Sequence, residues 1–145
     1  MDIRTCQERG LELFNAGYNC AQACFVAIAP DLGMDELQAI KLCAGLGGGI
    51  ARTGNTCGAL TGALLALGLK RAGCETSPKI KNDFYLRSQA LISAFTQKCG
   101  AVNCRDLLGC DLSTAEGSAE AKERNVHKTV CVNLVKTAIA LVAEA

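Results

Sequence analysis

Residues 57–69, CGALTGALLALGL, carry no charge and alternate small residues with leucines. A helix through this stretch, from about Thr56 to Ala72, is apolar on nearly every side and therefore has to lie inside the fold. Gly58, Ala59, Gly62, Ala63 and Ala66 leave room for neighbouring backbones to come close. The run GLGGGIARTGNT precedes it, a flexible loop leading into a buried helix. The uncharged stretch is well short of the roughly 20 residues needed to cross a bilayer.

Helical spacing continues on both sides. A first helix carries Ile3, Cys6, Leu13 and Phe14 and should end at Ala16-Gly17. In YNCAQACFVAIA, Cys20, Cys24, Ala27 and Ile28 share a face, and Pro30-Asp31 with Gly33 close that helix. A third helix, around residues 35–44, is expected to turn Leu37, Ile40 and Ala44 inward. Ser77 and Pro78 suit an N-cap and first turn, and Ile80, Phe84, Leu91 and Phe95 follow at helical spacing until Gly100. NCRDLLG predicts a short helix, and Ser113 to Glu116 reads as a capping box. A last helix from about Asn125 aligns Val126, Val130, Leu134, Thr137 and Leu141.

With no Trp, two Tyr and four Phe, the apolar half of the chain is mainly aliphatic residues and cysteine. That suits closely packed helices better than sheets. The expected fold is all-α: a single-domain bundle over residues 1–145, with about five main helices, several short ones, and a central apolar helix after the glycine loop. The formal charge of +1, with acids and bases interspersed, gives no stripe for nucleic acid. The charged start MDIRTCQERG lacks the apolar core of a secretory signal, so a cytoplasmic, not membrane-embedded protein is expected.

The ten cysteines carry the chemistry. A disulfide scaffold fits small secreted chains with weak cores. No Cys-x-x-Cys knuckle marks a zinc ribbon, and no Cys-x-x-Cys-His marks attached haem. GIARTGNT has P-loop spacing, but Asn55 stands where the lysine belongs and no strand leads into it. The lone His127 and the absence of paired carboxylates point away from hydrolase or kinase chemistry.

Three thiols share a more specific setting. Cys20, Cys57 and Cys104 each stand at a predicted helix start, two of them near an arginine, Arg52 or Arg105. Free N–H groups and the helix dipole there favour thiolate, and such settings can bring a thiol pKa down to roughly 3.5–7.5. Thiolate is both the nucleophile of disulfide exchange and the ligand for soft metals. Cys24, Cys43 and Cys99 read as packing residues, with Cys24 within reach of Cys20 as a spare ligand. Cys6, Cys74 and Cys110 read as incidental. His127, one turn before Cys131, reads as no more than a second donor to the site.

The stretches GYNCAQACF, GGGIARTGNTCGALTGALLALG, NCRDLLG and CVNLV, in that order, resemble the C-GCAxxG-C-C proteins, a four-cysteine redox-active family of about this length. One departure is that Gly58 follows Cys57 instead of preceding it. The resemblance implies a site made of Cys20, Cys57, Cys104 and Cys131, and it alone singles out Cys131. A related domain in split-Soret-type cytochromes holds an iron–sulfur centre. Four thiolates are the usual complement for such a cluster. The resemblance therefore implies an iron–sulfur or other metal centre for electron transfer. The alternatives are a metal-free thiol–disulfide protein with Cys57 as the reactive thiol, and a structural zinc bundle. It also implies an unidentified redox partner, with a transporter or membrane redox system as one possibility.

Overall fold

The computed structural model describes residues 1–145. Eight α-helices and no named strand make the fold all-α: α1 (Ile3–Asn15), α2 (Cys20–Ile28), α3 (Glu36–Leu42), α4 (Gly58–Arg71), α5 (Pro78–Cys99), α6 (Cys104–Leu108), α7 (Ala115–Glu123) and α8 (Val132–Glu144). Local chemistry sets many of their ends. Asp2 caps α1 through the Thr5 N–H, and Ser77 caps α5 through Ile80 with Pro78 in the first turn. Asn19 and Gln22 exchange side-chain hydrogen bonds in a complete capping box, each 2.9 Å long. That box fixes the start of α2 at Cys20.

The main core lies where α1, α2, α4, α5 and α8 meet. Every residue of α2 from Ala21 to Ile28 is buried, so α2 shares the centre with α4. The small residues of α4 do what their size suggests. At Gly62, an added Cβ would stand 2.7 Å from the Ala21 carbonyl oxygen, so the two helix backbones nearly touch. Leu65 and Leu69 lie on the outer edge of α4, about two-fifths exposed. Lys70, at the end of α4, donates to the Val142 and Ala143 carbonyls at the end of α8, where a cation also suits the helix dipole.

A second, smaller cluster joins Cys104, Leu108, Cys110, Ala121, Val126 and Cys131. Phe14 and Val130 pack against both clusters and close the seam between them.

Three expectations need correction. In α3 the buried positions are Ala39 and, just past its end, Cys43, while Leu37 points outward at 68% exposure and Ala44 is exposed. The i, i+4 pair Ala39/Cys43 faces the core, and the wider leucine pattern is turned away. The cap of α7 is Thr114, which accepts from the Gly117 N–H. Ser113 instead bonds to Asp111. The last helix is continuous but not regular: residues His127–Cys131 form a π-turn that runs directly into α8. A π-turn inserts an extra residue, so beyond it the buried face passes to Leu134, Val135, Ala138, Ile139 and Val142.

No single helix is long and apolar enough to cross a membrane. Residues 115–123 and 127–144 would qualify only as a joined pair, and they are bent by 70°.

A buried cysteine centre

Each of the four sequence-selected cysteines comes from a different segment. Cys20 is the first residue of α2 and is half-buried. Cys57 is the N-cap of α4, just outside the helix it was expected to begin within, and is buried. Cys104 opens α6, and Cys131 ends the π-turn; both are buried.

Backbone pairing couples two of them. The Cys57 N–H donates to the Val102 carbonyl (2.8 Å), and the Cys104 N–H donates to the Asn55 carbonyl (2.6 Å). This pair of bonds is one antiparallel bridge, Thr56 opposite Asn103, with a cysteine following each member. Two helix starts remote in sequence are thereby locked side by side.

The loop leading into this bridge is the most strained backbone in the chain. Gly48, Gly49, Ile50, Ala51 and Arg52 are successive residues with φ of 64°, 69°, 70°, 50° and 63°. They form a left-handed turn. For the three non-glycine residues, such a conformation costs about 1–2 kcal/mol each, a large sum against a typical domain stability of about 5–15 kcal/mol. Hydrogen bonds hold it closed: Ala51 N–H to Gly45 (2.9 Å), Arg52 N–H to Gly47 (3.1 Å) and Asn55 N–H to Gly49 (2.9 Å). Gly49 also lies where a Cβ would stand 2.5 Å from the Asn55 oxygen and 2.6 Å from the Cys104 Cβ. Strain of this kind collects at functional sites.

The turn, through Gly48, and the starts of α2 and α4 deliver donors to sulfur. The N–H groups of Gly48, Ala21, Cys20 and Gly58 favour the ionised form of Cys20, and those of Leu60 and Ala59 favour that of Cys57. Burial nevertheless wins. It raises the Cys20 thiol, and it raises Cys57 from the ordinary 9.0 to about 12, with the nearby Cys20 adding to the effect. Cys104 rises to about 11 through burial, then the proximity of Cys20 and Cys110. Cys131 rises further, through burial and then Cys20, Cys57, Cys104 and Cys110. The thiolate expected from helix-end placement is therefore not favoured in the uncomplexed protein. Cys57, Cys104 and Cys131 each lie near enough to Cys20 for its charge to act on them.

No three His, Cys, Asp or Glu side chains are close enough together to hold one metal ion. An open groove of about 380 Å³ lies elsewhere, between Arg9, Leu13, Val26 and Glu36.

Among the remaining cysteines, Cys24 and Cys43 are fully buried, with Cys43 donating to the Ala39 carbonyl. Cys24 lies near enough to Cys57 and Cys20 for both to act on it. Cys99 is half-buried and Cys74 exposed. Cys6 is fully buried in the main core, and Cys110 is buried in the small cluster. Both had looked peripheral. Cys110 follows Gly109, whose left-handed conformation (φ 69°) ends α6. A residue just past such a glycine commonly packs back on its helix, and that local signal could have found it. His127 is exposed, with its ring against Phe14 at 5.6 Å between centroids.

Fold and burial together define an all-helical, cysteine-rich protein in which most of the thiols are buried. The chain belongs to the C_GCAxxG_C_C family, described as "Putative redox-active protein", which it matches over residues 18–145. It is also similar to an uncharacterized protein of Archaeoglobus fulgidus, with 33% identity over 111 residues, covering 70% of this chain and 72% of that one. No solved structure matches it.

Proposed function

We propose that Cys20, Cys57, Cys104 and Cys131 hold an iron–sulfur cluster that carries electrons. The observation that supports this most is that thiols from four segments are held protonated by burial, with Cys57, Cys104 and Cys131 each near enough to Cys20 to feel its charge. Such thiols ionise readily only when a metal replaces the proton. A cluster would supply reversible electron exchange.

The chain's own residues supply the rest. The α2 and α4 starts and the left-handed turn aim N–H groups at Cys20 and Cys57. Those donors offset thiolate charge and tune a potential. The surrounding aliphatic side chains limit water. Burial of Cys57 works against its use as a free nucleophile.

Anaerobically purified or reconstituted protein should contain iron and labile sulfide with visible absorbance, all lost in Cys57→Ser. Absence of iron and sulfide after reconstitution would overturn the reading. Reversible thiol oxidation without metal would replace it with the dithiol alternative, and stoichiometric zinc with the structural one.

A further inference from the structure

Single exposed apolar side chains are ordinary on a protein surface, but here most of them fall on two faces. Apart from Met1 and Ile50, the large exposed hydrophobics are Leu37 and Leu42 on α3, and Leu65, Leu69, Tyr85 and Leu86 on α4 and α5. α3 packs on α2, whereas α5 packs on α4 and α8. The first face borders the open groove between α1 and α3, floored by Leu13, Val26 and Pro30 and rimmed by Arg9, Glu12 and Glu36. Leu37 follows Glu36 there, exposed to water. The Arg9 guanidinium is already engaged, donating to both carboxylate oxygens of Asp31 at 3.3 and 3.0 Å. Glu12 and Glu36 form no ion pair, so two free carboxylates stand over an apolar floor.

The start of α5 has the opposite character. Ile80 and Phe84 lie against Gly73 and Gly68, which turns Tyr85 and Leu86 out to 55% and 63% exposure. Lys79 pairs with Asp83 on its own helix, but Lys81 and Arg87 have no carboxylate partner. Two free cations therefore flank two exposed apolar side chains. We propose that these faces meet in a pair of copies of this chain, the start of α5 of one docking on the α1–α3 groove of the other. Leu86 and Tyr85 would cover the groove and Leu37, while Lys81 and Arg87 meet Glu12 and Glu36. Apolar burial supplies the affinity, and the charges fix which face meets which. Because unlike faces join, each copy keeps one free groove and one free α5 start until a ring closes.

The experiment is sedimentation of the full chain over a range of concentration and salt. Wild type should associate when concentrated and dissociate in about 1 M salt, where charges are screened beyond about 3 Å. Lys81→Glu with Arg87→Glu should be monomeric, and so should Glu12→Lys with Glu36→Lys. An equimolar mixture of the two double variants should associate again. In it each reversed face finds its reversed counterpart, and each unchanged face its unchanged one. All four positions are exposed, so circular dichroism of both variants should match wild type.

A wild type that stays monomeric when concentrated overturns the proposal, as does an assembly that survives either charge reversal. Loss of association in both variants without recovery on mixing also overturns it, because the two faces would then not be partners. Leu86→Ser is the variant that does not depend on reversed charges being tolerated. It should weaken association several-fold at unchanged thermal stability, and an unchanged sedimentation profile would take the start of α5 out of the contact.

Discussion

A Cβ built on Gly58 would stand 2.5 Å from the Cys20 sulfur, 3.0 Å from the Leu46 oxygen and 3.1 Å from the Ala21 nitrogen. This contact explains why glycine follows Cys57. The first turn of α4 passes so close to the start of α2 that only a residue without a side chain leaves the sulfur its place. Gly58→Ala should therefore push Cys20 aside and reduce iron loading, while costing about 1–3 kcal/mol of stability through overpacking. Gly45→Ala is the control, because nothing lies within 4 Å of its added Cβ. Urea midpoints and iron content of the two variants check this; equal loading would remove Gly58 from the site.

The left-handed turn gives a prediction of opposite sign. Ala51 is exposed and has φ of 50°. Ala51→Gly relieves the left-handed penalty but adds freedom to the unfolded chain, so a net gain of about 0.5–1 kcal/mol is expected. Iron loading should not change. Ala51→Val, with a branched Cβ in the same conformation, should lower both stability and loading. If both substitutions leave the urea midpoint where it was, the turn is not under strain.

Much of the fold was legible because its signals are local. Ser77 with Pro78, and Gly100 and Gly109 mark helix ends through their own chemistry, and the structure uses each of them. The same local reading found the positions of Cys20, Cys57 and Cys104, but gave the wrong direction for their ionisation. Helix-end potential is visible in sequence, whereas burial depends on elements that arrive later. Cys131 was singled out only by family resemblance. The π-turn that presents it is a one-residue irregularity, and hydrophobic periodicity runs through such a feature without recording it. Leu37 was misplaced for a related reason: in a seven-residue helix, Ala39 and Cys43 outweigh two exposed leucines, Leu37 and Leu42.

The raised thiols also make the metal-free protein sensitive to alkali. Cys57 at about 12 and Cys104 at about 11 stay protonated in the folded state well above the ordinary 9.0. The unfolded chain loses those protons near its ordinary value, so it binds fewer protons than the native state, and stability falls as pH rises. The contribution is fully present below about 9 and is lost as pH rises toward the folded values. Urea midpoints of iron-free protein should drop between about pH 9 and about pH 11. Cys57→Ala should shrink the drop, and an unchanged slope in that variant would contradict the assignment.

The two cores should not respond equally when the centre is emptied. The larger one rests on fully buried Ile28, Leu60, Leu67, Phe95 and Ile139, whereas the smaller has only Leu108, Ala121 and Val126 besides its three cysteines. Fully burying a Leu or Val side chain contributes about 1.5–3 kcal/mol. Ordering backbone costs roughly 1–2 kcal/mol per residue, so so few side chains leave the segment from Asn103 to Cys131 dependent on its attachments. Those attachments are the Thr56–Asn103 bridge and, in the proposed centre, the bonds of Cys104 and Cys131 to metal. Removing iron should accelerate amide hydrogen exchange in α6 and α7 many-fold, with little change in α2. Peptide-resolved exchange on loaded and stripped protein measures it directly. Equal acceleration in α2 would mean that the centre supports the whole bundle, not the smaller core.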